Sequence, residues 1–182
     1  MNLWDTPAGF DQPLAALSAC HRRIEKQMAT LTRLQKHVSR NGFDNDGRIA
    51  ATRILRYFVQ AAPHHHADEE NDLFPKVLRA AEAPADRAQA FELVSHLLVE
   101  HRDMEAIWEK LYDALQCLQS GEKTQLDGQL CKEFTRIYSG HIDREDKLLF
   151  PLAARLLNQR ELQSLGNAMA HRRGLPPPVF SA

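Results

Sequence analysis

The sequence HHHADEENDLFP occupies residues 64–75, and a related sequence, HIDREDKLLFP, occupies residues 141–151. Both contain a histidine, a glutamate four residues later, and a Leu-Phe-Pro triplet that begins four residues after the glutamate. Residues four apart lie on the same face of an α-helix. Each copy therefore predicts a helix that presents an imidazole and a carboxylate side by side.

Apolar residues recur at steps of three and four in four long segments, which is the period of an amphipathic helix. The segments cover about residues 13–40, 48–78, 85–118 and 124–157. Turn signals rich in Gly, Asn, Asp and Pro separate them. Short connections between long helices favour antiparallel neighbours. We therefore expect an all-α fold, an antiparallel up-down-up-down four-helix bundle.

The helical segments and turn signals also predict the domain organisation. We expect one domain over residues 1–182, with the bundle in about residues 12–157 and a C-terminal extension over residues 158–182 that forms a short helix and a Pro-rich tail. Within the second helix, Pro63 is expected to introduce a kink, because proline removes a helical hydrogen bond.

Histidines fall on the inward, apolar stripe of all four predicted helices. His21 lies on the first stripe and His101 on the third, while the duplicated motif supplies a histidine and a glutamate to the second and fourth, where the stripe continues to Leu73 and Leu148. We expect six side chains to converge in the core. They are His21, His65, Glu69, His101, His141 and Glu145.

Such a set is costly without a cation, because two buried carboxylates repel each other and lose their hydration. A lone histidine on an apolar stripe is more often a hydrogen-bonded core residue than a ligand. Four of them on four helices, with two paired glutamates, favour a site for two metal ions. Nitrogen and oxygen ligands suit iron, manganese or zinc, and six ligands for two ions leave coordination positions open.

Other histidines compete for this role. His66 and Glu70 also form a His-x-x-x-Glu pair, but the repeated Phe-Pro sequence selects His65 with Glu69. His64 and His66 are expected to rotate away from His65. His64 and His66 therefore receive no ligand role, and neither do His37 and His171.

The bulk composition narrows the class of protein. With 23 Lys+Arg against 24 Asp+Glu, the chain has no basic surplus that would favour nucleic acid or an anionic membrane as a partner. Apolar runs are too short to span a bilayer, and the N-terminus lacks signal-peptide features, so we expect a cytoplasmic protein. The three cysteines, Cys20, Cys117 and Cys131, are expected to be free thiols.

Taken together, these motifs resemble the hemerythrin-like HHE cation-binding family over about residues 12–157. The resemblance rests on the histidine of the first helix, the two HxxxE motifs with their Leu-Phe-Pro triplets, and the Glu100-His101 pair of the third helix. It implies a non-haem di-iron centre with oxo and carboxylate bridges, although zinc or manganese would also suit the ligands. By the same resemblance the four histidines are terminal ligands, and Glu69 and Glu145 are bridging carboxylates.

The third helix departs from the oxygen-carrying hemerythrins, which have a second histidine four residues before the one at His101. That position is Leu97 here, while His96 lies five residues before and faces elsewhere. The set is therefore closer to the bacterial members linked to repair of iron centres or to sensing of nitric oxide, iron or oxygen.

The function expected from this resemblance is binding or sensing of a small diatomic ligand, oxygen or nitric oxide. The alternatives are iron storage, donation or repair of iron centres, and an oxidase or an enzyme that consumes peroxide or nitric oxide. A structural zinc site or an empty bundle is the simplest alternative. A binding protein is favoured over an enzyme, and no redox or signalling partner is indicated.

Overall fold

The computed structural model describes residues 9–180, so the ends of the predicted domain, residues 1–8 and 181–182, lie outside it. Eight α-helices and two short π-helical segments make up the described chain. They are α1 (Pro13–Asn41), α2 (Asn45–Gln60), α3 (Ala62–Asp68), π1 (Glu69–Leu73), α4 (Phe74–Ala80), α5 (Pro84–Ser120), α6 (Gly128–Arg144), π2 (Glu145–Leu149), α7 (Phe150–Leu156) and α8 (Gln159–Arg172).

Local sequence explains where several of these helices begin and end. Asp44 and Asp127 cap α2 and α6, because their carboxylates accept hydrogen bonds from backbone N–H groups of the first turn. Asn158 and Glu161 form a capping box at the start of α8. Gly121 ends α5 with a φ of 83°, a left-handed conformation that favours glycine.

The helices form the predicted four-helix bundle, and no residue from 9 to 180 lies in a β-strand. The first rod of the bundle is α1, and the third is α5. The second rod comprises α2, α3, π1 and α4, and the fourth comprises α6, π2 and α7. Each rod packs against its two neighbours, while α8 crosses α1, α3 and π1. The expected break in the second rod occurs at Ala61, two residues before Pro63.

Each copy of the repeated motif contains a π-helical turn between its glutamate and its Leu-Phe-Pro triplet. In these turns the N–H of Phe74 bonds to the carbonyl of Glu69, and that of Phe150 bonds to the carbonyl of Glu145, five residues back. A following proline, Pro75 or Pro151, favours this widening, because its ring crowds the carbonyl four residues earlier in a regular α-helix.

The π turn corrects one prediction about the fourth rod. Leu148, expected on the inward stripe, is 48% exposed, and Leu149 takes the core position instead. In a regular α-helix residues 148 and 149 would both lie near the face of Glu145, whereas the wider turn rotates residue 148 away from that face and keeps residue 149 on it. Leu73 is buried as expected, whereas Ile137 of the fourth rod is only half-buried.

The core consists of two apolar clusters with the polar side chains between them. On α1, Leu17 belongs to one cluster and Ile24 to the other, with His21 between them. On α5, Leu97 and Met104 are divided in the same way. Apolar packing above and below therefore fixes the depth of the polar layer in the bundle.

The described residues settle two further expectations. All three cysteines are free thiols. No helix within residues 9–180 combines the length and the apolar character that a bilayer crossing demands.

Candidate metal centre

The six side chains selected from the sequence lie together in the middle of the bundle. Each is at most 4% exposed. The six are His21 on α1, His65 on α3, Glu69 in π1, His101 on α5, His141 on α6 and Glu145 in π2. All four rods therefore contribute to one buried polar layer.

The side chains form two groups of four that share both glutamates. Within each group the nitrogen and oxygen atoms that could bind a metal lie within 4.8 Å of one another. The first group is His21, His65, Glu69 and Glu145, and the second is Glu69, His101, His141 and Glu145. Because each glutamate has two oxygens, it can face two adjacent ions at once.

Each glutamate lies between a histidine of its own rod and a histidine of another rod. Oε1 of Glu69 is 3.2 Å from Nε2 of His65, and its Oε2 is 3.6 Å from Nε2 of His101. Oε2 of Glu145 is 3.2 Å from Nε2 of His141 and 3.0 Å from Nε2 of His21. The duplicated motif thus produces a nearly duplicated arrangement in space.

The oxygens of the two glutamates indicate whether the buried polar layer can hold metal ions. All four oxygens of Glu69 and Glu145 are buried, and none has a hydrogen-bond partner among residues 9–180. Leaving a buried polar group unpaired costs about 1–3 kcal/mol, and more for a charged group. Native proteins rarely leave such groups unsatisfied. Two cations between the carboxylates and imidazoles would satisfy these oxygens, so the residues fit a two-metal site.

A second group of carboxylates orients the histidines from outside. Oε1 of Glu70 lies 2.6 Å from Nδ1 of His101, and Oδ1 of Asp146 lies 3.0 Å from Nδ1 of His21. Each of these acids directly follows a glutamate of the repeated motif, so the duplication extends to the outer carboxylates. A histidine that donates its Nδ1–H to a carboxylate presents a bare Nε2, which is the form that binds metals.

His141 is oriented in the same way by the third helix. Its Nδ1 lies 3.1 Å from Oε2 of Glu100, whose other oxygen accepts a hydrogen bond from Arg144. The Nε2 atoms of His101 and His141 are only 3.1 Å apart. A proton carried by one of these two nitrogens bridges the pair, and a metal ion would replace that proton.

His65 differs from the other three histidines, because its buried Nδ1 has no hydrogen-bond partner. It lines a small cavity of about 10 Å³, together with Asp68, Cys20 and Arg173. A volume of that size is near the lower limit for one water molecule.

Acidic neighbours change the pKa of two of the histidines. Burial opposes protonation of His21, but the hydrogen bond with Asp146 and the adjacent charge of Glu145 outweigh it and raise its pKa to about 9. Burial is likewise outweighed at His141, whose pKa the charge of Glu145 and the hydrogen bond with Glu100 raise to about 9. These two imidazoles therefore bind protons at neutral pH, and a metal ion would have to displace them.

Burial is the main cause of the pKa shifts of three further groups. Burial, reinforced by the charge of Glu145, raises the pKa of Glu69 well above its ordinary value. Burial lowers the pKa of His65 to about 3 and that of His101 to about 4, each with a neighbouring imidazole as the second cause. Positive charge between the two glutamates would relieve the repulsion that raises the pKa of Glu69.

His66, which the sequence did not predict to take part in the site, lies beside it in the structure. His66 turns away from His65 as expected, but it turns towards α5, where its ring stacks on that of His101 with centroids 4.2 Å apart. Its Nε2 is buried without a hydrogen-bond partner. Of the other histidines, His96 is exposed and lies against Glu100, and His37 bonds to Asp44 far from the site.

The outer carboxylates were also missed from the sequence. From the sequence, Glu70 was considered only as part of a competing ligand pair. In the structure its side chain is 40% exposed and bonds to Nδ1 of His101. An acid directly after each motif glutamate was the available signal, since metal-binding histidines usually donate their second N–H to a carboxylate.

The C-terminal helix closes one side of the site. Asp68, next to Glu69, is fully buried and pairs with Arg172, the last residue of α8, and with Arg173, which follows it. Arg172 also reaches Asp72 in π1 at 2.6 Å. These ion pairs attach the extension directly to the segment that carries Glu69.

A fold of four helical rods around shared carboxylates and inward histidines defines a class of two-metal bundle proteins. Residues 12–153 match the family described as the hemerythrin HHE cation-binding domain. The chain belongs to this family. An uncharacterised protein of Haemophilus influenzae is 29% identical over 166 residues, which span 91% of this chain and 92% of that protein.

Proposed function

We propose that this protein binds two iron ions between Glu69 and Glu145 and uses them to bind a small diatomic ligand, oxygen or nitric oxide. The observation that supports two ions is the sharing of both buried glutamates by two four-residue groups. Their four oxygens have no hydrogen-bond partner among the described residues. Family membership adds an expected preference for cations.

The donor set supports ligand binding in addition to structural metal binding. Each group supplies two imidazoles and one oxygen from each of two carboxylates, which is fewer donors than the six that iron commonly accepts. Four donors would complete a structural zinc site, but such sites often contain thiolate. No cysteine belongs to either group. Bound iron would supply redox chemistry and open coordination positions for the diatomic ligand.

The residues of the chain have separable roles in this proposal. His21, His65, His101 and His141 would hold the ions from the outside, and the two glutamates would lie between them. The acids behind His21, His101 and His141 would keep the Nε2 atoms of these three histidines pointing inwards. The apolar clusters above and below would restrict access of water.

Elemental mass spectrometry of the purified protein, with a visible spectrum recorded before and after dithionite and air, tests the metal assignment. We expect about two irons per chain and an absorption band that responds to reduction. One zinc or no metal would refute the proposal. Titration of the reduced, iron-loaded protein with nitric oxide and with oxygen then tests ligand binding, and an unchanged spectrum with both gases would refute that part alone.

We further propose that α8 belongs to the same domain as the bundle, because its last residue, Arg172, and the adjacent Arg173 both pair with the buried Asp68. Limited proteolysis should then leave residues 159–172 attached to the bundle. Early release of this segment from the folded protein would contradict a single domain.

A further inference from the structure

A groove opens on the side of the bundle where the second rod meets α5. It encloses a cavity of about 870 Å³. This volume is within the range of small-molecule sites, about 300–1,000 Å³, and is far larger than a diatomic ligand requires. His101, a member of the second ligand group, lies at its inner end.

Aromatic side chains form the floor of the groove. Phe58 and Tyr138 are almost fully buried, while Trp108 and Tyr112 are half-buried and present part of their rings to the cavity. The ring of Trp108 lies 5.0 Å from that of Phe58, centroid to centroid. Aromatic faces attract cations that approach within about 6 Å.

Acidic side chains line the wall that α5 contributes. Glu105, Glu109 and Asp113 follow one another at four-residue steps, so they lie along one face of the helix and are exposed. Among the described residues lining the groove, Arg102 is the only one with a permanent positive charge, and its Nε donates to the carbonyl of Leu98. The groove therefore carries a net negative charge.

The inner end of the groove provides an unsatisfied polar group. His66 lines the cavity, and its buried Nε2 has no hydrogen-bond partner. Such a group is costly in a protein interior unless a ligand or an ordered water satisfies it. It lies at the same end as Tyr138, with the two rings 6.5 Å apart, so a bound molecule could meet the imidazole there.

We propose that this groove binds a small organic ammonium ion. The cavity supplies the volume, the aromatic rings and the carboxylates supply attraction for a cation, and His66 supplies a hydrogen-bonding partner at the inner end. This groove adjoins the metal-binding candidates at His101 but goes beyond the function proposed above, because none of these attractions requires a bound metal.

Isothermal titration calorimetry with phenethylammonium tests the proposal, using the full-length protein both after chelation and after iron loading. We expect binding with a Kd below about 1 mM, within reach of a ligand of that size. The anion 3-phenylpropionate has a similar shape and opposite charge, and we expect it to bind at least about tenfold more weakly, since its carboxylate meets the acidic wall.

Variants of the wall and floor locate the binding. The double variant Glu105→Gln/Glu109→Gln should raise the Kd about fivefold, as expected for the loss of two exposed charge interactions. Trp108→Leu should raise it about threefold, through loss of a cation–π contact. Glu92→Gln removes an exposed charge from the same helix outside the groove and should leave the Kd unchanged.

The outcomes separate this proposal from the metal proposal. Binding of the cation by both forms of the protein, weakened only by the groove variants, would support the site. Absence of binding, equal binding of the anion, or an equal effect of Glu92→Gln would overturn it. A protein that binds no iron but binds phenethylammonium would refute the metal proposal and leave this one intact. Circular dichroism verifies that each variant folds.

Discussion

Removing the carboxylates behind the histidines should weaken metal binding in a graded way. Glu70→Ala deletes the acceptor 2.6 Å from Nδ1 of His101, and Glu100→Ala deletes the acceptor 3.1 Å from Nδ1 of His141. Neither Glu70 nor Glu100 is itself a predicted metal ligand. Each would free a histidine to rotate and to adopt the tautomer with a protonated Nε2, which cannot bind a metal.

The exposure of the two carboxylates indicates which substitution should lower the metal affinity more. Loss of such an outer partner typically costs 10- to 100-fold in metal affinity, or about 1.4 to 2.8 kcal/mol. The side chain of Glu70 is 40% exposed, so water can replace part of its role, and we expect about tenfold. That of Glu100 is only 17% exposed and is also bonded by Arg144, so we expect a loss nearer 100-fold.

Competition with a chelator of known affinity, read by elemental mass spectrometry, measures these losses. The control is Asp143→Ala, which removes an acid from the same HxxxE segment as Glu145 but one that is exposed and paired only with Lys147. It should leave the metal affinity unchanged. Wild-type affinity in both Glu70→Ala and Glu100→Ala, or an equal loss in Asp143→Ala, would refute the role given to the outer carboxylates.

Three further predictions concern the ligands, the pH and the C-terminal helix. His101→Ala should lower metal content well below that of the wild type, and His96→Ala should leave it intact, as measured by elemental mass spectrometry. Metal affinity measured by chelator competition should rise from pH 6 to pH 9, because His21 and His141, with pKa values raised to about 9, release protons when metal binds. Asp68→Asn should destabilise the fold by about 3 kcal/mol in urea denaturation, because it removes the fully buried charge that pairs with Arg172 and Arg173.

Each of these predictions has a result that contradicts it. Equal metal content in the His101 and His96 variants would overturn the register of the third helix. An affinity that falls between pH 6 and pH 9 would mean that protons do not compete with the metal. For the third, Asp86→Asn breaks a surface pair with Arg155 and serves as the matched control; an equal effect of the two would show that burial of Asp68 contributes nothing.

Much of the fold was predictable because hydrophobic period and turn residues act locally. The first and third rods begin and end within two residues of their expected bounds, since Pro13, Pro84 and the glycines after each helix mark them. The π turns were not predictable from the period. An assumed regular α-helix placed Leu148 in the core, and the proline three residues later changes the geometry.

The candidate site could be predicted to the extent that it depends on sequence repetition. The two HxxxE motifs carry their own spacing, so His65 and His141 could be selected from the sequence alone. The position of His66 depends on how the second rod faces α5, which is a tertiary property. The partner of His101 likewise comes from another rod, and Glu70 gains its role only when the bundle assembles.

The ion pairs of α8 give the two sides of the polar layer different permeability. On one side, Asp68 packs with Arg172 and Arg173 and leaves a cavity of only about 10 Å³ behind His65. That side is therefore closed to molecules larger than water. On the other side, the stacked rings of His66 and His101 are the barrier between the groove and the layer. Rotation of a single imidazole would open this barrier. The rate at which small molecules exchange with the interior should therefore depend on the ring-flip kinetics of His66 and hardly at all on the motion of α8.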